Sequence, residues 1–160
     1  MLRSLIIALF VLTCVPAVAC TCAKDPRVSK KEEITEKYER ADVVFSGNLI
    51  KKVALNKARK RSSGDPVLYT FEIIHHYKGS FSKSTIEIVS EAFGSSCGYN
   101  FNEGLTYLVY TRASSHFNDR FPQLVDDKNA HTTGLCSGNM LRKKVDKKQL
   151  RILKRLKAKG

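Results

Sequence analysis

The sequence predicts a mainly β fold: five short antiparallel strands closed into a small barrel, with a short helix at each end. Three observations lead there. Apolar residues alternate with polar ones in runs rich in Val, Ile, Tyr and Phe, and turn residues interrupt these runs at short intervals. Helical spacing of apolar residues occurs only near the two ends of the chain.

The first helix is expected over residues 30 to 41. Ser29-Lys30-Lys31-Glu32 has the spacing of a capping box, and Ile34, Tyr38 and Ala41 follow at helical intervals. A strand then starts at Val43-Val44-Phe45 and runs to about Leu55, with Gly47 marking a bulge or bend. The basic, polar stretch from Asn56 to Asp65 reads as a hairpin loop. Val67 to Tyr77 is the clearest strand, with Tyr69, Phe71, Ile73 and Tyr77 assigned to one face. Lys78-Gly79-Ser80 turns the chain into a third strand, Thr85 to Ser90, with Ile86 and Ile88 inward. A fourth follows over Leu105 to Thr111, then a polar loop from Arg112 to Asp119 and a short fifth strand near Thr132 to Cys136. Asp146 to Lys159 reads as a helix with Leu150, Leu153 and Leu156 on one side. Five short strands with a helix at each end suit a barrel of the OB type.

Residues 1–19 have the form of a signal peptide. Arg3 precedes the apolar run Leu5 to Leu12, and Pro16 leads into Ala17-Val18-Ala19, a small-x-small cleavage pattern. Cleavage after Ala19 makes Cys20 the first mature residue. Residues 20–141 then form one domain, and 142–160 a basic C-terminal helix. The product is expected to be secreted and extracellular. Ala17-Val18-Ala19-Cys20 is also an imperfect lipobox, so a bacterial product would reside in the periplasm or at the cell surface. No segment approaches the roughly 20 apolar residues that span a bilayer.

The mature chain holds 27 Lys and Arg against 15 Asp and Glu, a formal +12. That surplus favours polyanionic partners, among them sulfated polysaccharide, and export argues against nucleic acid. Ten of the cations fall between Arg142 and Lys159, with Asp146 as the single acid there. Cys20, Cys22, Cys97 and Cys136 form an even set, which in an exported domain reads as two disulfides. A bridge between Cys20 and Cys22 would close a cramped ring. Two pairings remain, and both join the N-terminus to distant positions.

Catalysis is poorly supported. The chain has no Gly-x-Ser-x-Gly, His-Glu-x-x-His, phosphate loop or Gly-x-Gly-x-x-Gly. His75 and His76 are neighbours on a strand and point to opposite faces, so they cannot readily share an ion; one packed and one solvated imidazole is expected. His116 and His131 fall in loops without acidic or cysteine partners nearby. The chain is expected to be no enzyme and to need no cofactor of its own.

The mature N-terminus is the informative feature. An α-amine and a carbonyl on Cys20 form a five-membered chelate, and the amine, with a pKa near about 8, is partly neutral at physiological pH. A catalytic zinc keeps one coordination position open to water. A rigid wedge that displaces this water would inhibit a zinc protease with little entropic loss.

The residues around this feature resemble the N-terminal, netrin-like domain of the tissue inhibitors of metalloproteinases. The resemblance rests on Cys20-Thr21-Cys22, on residues 41–47 (Ala-Asp-Val-Val-Phe-Ser-Gly), and on Leu68 to Ile73 with Tyr77-Lys78-Gly79. Ser96-Cys97-Gly98-Tyr99 and Thr132-Thr133-Gly134-Leu135-Cys136 follow in the same order. It covers residues 20 to about 140 and implies a five-stranded OB-type, netrin-like barrel. It implies bridges Cys20–Cys97 and Cys22–Cys136. It also implies that Cys20 meets the zinc of a target metalloprotease, that Thr21 enters the pocket beside the metal, and that Ser95, Ser96, Cys97 and Gly98 form a second contact ridge. The basic hairpin from Val53 to Asp65 would reach the target's rim. The chain lacks cysteines for the family's third bridge in this domain, and a basic helix stands where the family has a cysteine-rich subdomain. The expected function is a secreted, monomeric metalloprotease inhibitor. The competing expectation is a netrin-like module that docks polyanions or another exported protein through its basic face.

Overall fold

A computed structural model describes residues 20–23, 25–58, 60, 62–92 and 97–159. Residues 1–19, expected to be a signal peptide, and Ser95 and Ser96 lie outside this set. Helix α1 (Lys30–Arg40) carries the expected capping box: the Ser29 amide donates to Glu32 Oε2 at 2.8 Å, and Ser29 Oγ accepts from the Glu32 amide at 3.3 Å. Strands β1 (Val43–Ala54), β2 (Pro66–Lys78), β3 (Thr85–Glu91) and β4 (Thr106–Ala113) follow. Next come helix α2 (His116–Arg120), the two-residue strands β5 (His131–Thr132) and β6 (Met140–Leu141), and helix α3 (Lys147–Lys157).

The sheet runs β1-β2-β3-β5-β4-β6, and a further β1–β4 pairing closes the first five strands into a ring. All pairings are antiparallel except β3–β5. The mainly β, five-stranded closed arrangement with flanking helices is therefore present, with β6 added along β4.

Alternation sorts most buried strand residues into two cores, and Val89 of β3 joins a third, smaller cluster with Phe117, Val125 and Ala130. Phe45, Leu49, Tyr69, Phe71, Ile88, Tyr107 and Val109 form one cluster with Phe101. Val44, Leu108 and Tyr110, the intervening residues of β1 and β4, form a second with Ile34 and Tyr38 of α1 and Ile152 and Leu153 of α3. Residues 43–47 of β1 and 107–111 of β4 are thus buried on both faces, so the alternation of buried and exposed positions is lost there. The C-terminal helix belongs to this second core, since Leu153 is fully buried.

Several elements depart from the sequence expectations. β2 slips register against β1 near Ser46/Gly47 and again near Val44/Phe45. Strict alternation is broken there, so Tyr77 joins the second cluster while Tyr69 and Phe71 stay in the first. The same irregularity leaves both His75 and His76 exposed, where one was expected to pack. Gly47 is needed at the first slip, because a Cβ there would lie 2.5 Å from the Glu72 carbonyl oxygen. β4 starts one residue later than expected and runs two further, leaving Leu105 exposed. The segment 112–119 is not wholly loop, since α2 begins at His116 and buries Phe117. β5 stops at Thr132; Leu135–Ser137 instead makes a single 3₁₀ turn.

Candidate functional site

The N-terminal segment is held by two bridges, Cys20–Cys97 and Cys22–Cys136, the pairing that the motif resemblance implies. They span 77 and 114 residues of sequence and draw their Cα atoms to 5.4 and 5.3 Å. Three stretches remote in sequence, 20–23, 97–98 and 134–136, are thereby gathered in one place. Cys20 is half-buried, whereas Thr21, Cys22 and Ala23 are exposed. Thr21 therefore stands outward between two anchored neighbours.

The ridge at Cys97 is built under constraint. Cys97 has φ +68°, in the left-handed region that costs a non-glycine residue about 1–2 kcal/mol. Its carbonyl accepts a hydrogen bond from the Leu135 amide at 2.7 Å, and the Tyr99 amide donates to Ser90 Oγ at 2.9 Å. Gly98 lies directly on β3: a Cβ there would sit 2.1 Å from the Glu91 carbonyl oxygen. The segment carrying Cys136 is held by the buried side chain of Asn139. Its Oδ1 accepts from the Tyr110 amide at 2.9 Å, and its Nδ2 donates to Thr133 Oγ1 at 2.7 Å and to the Gly134 carbonyl at 3.1 Å. Leu135 remains exposed beside the Cys22–Cys136 bridge.

Glu91 lies beneath the ridge with its side chain largely covered. Burial pushes its carboxyl pKa up, while His116 Nε2 at 3.8 Å and Arg120 Nη1 at 3.9 Å pull in the other direction. His116 thus has an acidic neighbour that sequence spacing did not reveal. Arg120 also covers the β1–β2 hairpin, since a Cβ on Gly64 would fall 3.2 Å from its guanidinium. The hairpin exposes Lys57 and Lys60; Arg59 and Arg61 lie outside the described residues.

Among the described residues, no group of three or more His, Cys, Asp or Glu is placed to hold a metal ion, and no helix is long and apolar enough to cross a membrane. Of the expected site residues, the structure brings together Cys20, Thr21, Cys22, Cys97, Gly98 and Cys136; Ser95 and Ser96 fall outside the description. Asn139 and Glu91 were not singled out from the sequence. The glycines at 134 and 138 around Asn139 were the available sign of a tightly folded polar turn. Neither a family profile nor a curated protein matches the chain.

Proposed function

We propose that the protein is an exported inhibitor of zinc metalloproteases, acting through the mature N-terminus in the manner of a netrin-like inhibitor domain. The observation that carries this reading is the exposure of Thr21 between Cys20 and Cys22, each bridged to a separate part of the fold. A segment fixed in this way loses little conformational entropy on entering a cleft. In this reading the amine and carbonyl of Cys20 displace the water on the target's zinc, Thr21 fills the adjoining pocket, and Cys97 and Gly98 flank the contact. The zinc belongs to the protease.

The test compares the mature protein starting at Cys20 with a form carrying one extra Ala before it. The extension moves the α-amine off the metal and leaves both bridges intact. Inhibition of a zinc metalloprotease panel should weaken about a thousandfold, equivalent to roughly 4 kcal/mol. Equal inhibition by the two forms, or none by either, refutes the reading.

A further inference from the structure

We propose that the outward face of α3 is a docking surface for a linear sulfated polysaccharide, independent of the N-terminal wedge. Lys147, Lys148, Arg151, Lys154 and Arg155 are all exposed, and no acidic residue lies within the helix. At about 1.5 Å rise per residue the helix presents these charges over roughly 12 Å. The nearest acid in sequence is Asp146. It is engaged twice, capping the helix through the Gln149 amide at 2.7 Å and pairing with Lys30. On the adjoining helix α1, Glu33 and Glu36 are paired with Lys37 and Arg40, so they do not cancel the α3 charge. At the far end, Lys157 Nζ lies 3.0 Å from His76 Nε2 and donates to the His76 carbonyl at 3.2 Å, which fastens the last turn to β2.

Two other polyanions fit less well. An amphipathic helix enters a membrane surface through its apolar stripe. Here that stripe, centred on Ile152 and Leu153, is already spent in the second core. Single-stranded nucleic acid is gripped by exposed aromatic platforms among the cations. The large hydrophobic residues exposed among the described residues are Val28, Ile50, Ile74, Leu105 and Leu135, none of them aromatic. A rigid, purely cationic face suits a chain whose sulfates are its main handle.

Truncating the tail would remove core residues, so the test uses substitutions on the exposed face. One variant of the mature protein carries Lys147→Gln, Arg151→Gln, Lys154→Gln and Arg155→Gln. A control with the same charge change carries Lys51→Gln, Lys57→Gln, Lys83→Gln and Lys128→Gln. Affinity for a heparin oligosaccharide is measured across a salt series. The α3 variant should lose about tenfold or more, and its log–log salt slope should shrink by about 0.7–0.9 for each contact removed. The control should stay within about twofold, as expected for charges outside the contact. If thermal unfolding shows the fourfold variant misfolded, Lys154→Gln with Arg155→Gln decides, at half the slope change. Equal losses in variant and control overturn the proposal. So does binding of equimolar phosphatidylserine–phosphatidylcholine vesicles, or of duplex DNA, as tight as that of heparin. Because inhibition depends on Cys20, its failure would leave this result standing.

Discussion

The Leu135 amide donates to the Cys97 carbonyl at 2.7 Å, so the partner of Cys20 is hydrogen-bonded to the residue just before Cys136, the partner of Cys22. The N-terminal segment thus rests on one continuous support. A disturbance on either side of that hydrogen bond should reach Thr21, which gives the support a measurable signature.

Asn139→Ala removes three hydrogen bonds at once and leaves the Tyr110 amide without its acceptor. Stranding buried polar groups costs about 1–3 kcal/mol each before relaxation, so a loss of roughly 3 kcal/mol is expected. Denaturant unfolding should show it as a lower midpoint with unchanged slope. Hydrogen exchange at the Leu135 amide should accelerate in the folded state.

Gly98→Ala should be more harmful than its size suggests. The added Cβ would meet the Glu91 carbonyl oxygen at 2.1 Å, so the ridge must lift away from β3. Overpacking of this kind costs about 1–3 kcal/mol. Gly104 offers a contrast: nothing lies within 4 Å of its Cβ position, but its φ of +75° disfavours a side chain. Under the function proposed above, Gly98→Ala is expected to weaken protease inhibition as well as stability, whereas Gly104→Ala should lower stability alone. Paired unfolding and inhibition measurements distinguish them.

Glu91 and Asp146 predict opposite responses to pH. The Glu91 pKa is raised in the folded state by burial, so the folded chain holds that proton more tightly than the unfolded chain. Its effect is a destabilisation that sets in as pH rises above 4.5 and persists above the folded value. Asp146 is lowered, chiefly by its hydrogen bond to Lys30, so its stabilisation is present above 3.8 and fades as pH falls through the folded value. Glu91→Gln should therefore flatten the loss of stability that sets in above pH 4.5 in the native protein. Unfolding curves at closely spaced pH values test this, and an identical profile in the two proteins would count against it.

Much of the fold was legible because local signals agreed with the tertiary structure. The Ser29 cap, the Tyr69–Phe71 alternation and the Asp146 helix start each depend on neighbours a few residues away. What the sequence concealed depends on distant partners. The slips in β2 reflect its fit to β1, and β6 is two residues long, too short to leave a periodic trace. α2 hides in a polar stretch because Phe117 is its one buried residue. At the site, the cysteines and Thr21 stood out by their position after the cleavage motif. Asn139 and Glu91 did not, since a buried amide or carboxylate shows itself only through what surrounds it.

Both cross-links run from residues 20–22 to segments far along the chain, and β1 closes the ring on β4. Such a topology has few contacts to reward early collapse, and folds dominated by distant pairings form slowly. Residues 20–23 take their final position only after Cys136, far along the chain, has emerged. An arrested or prematurely released chain therefore leaves Cys20 and Cys22 without their proper partners, open to mispairing or capture by another thiol. The yield of correctly bridged protein should accordingly depend on disulfide isomerase capacity more than on the rate of synthesis.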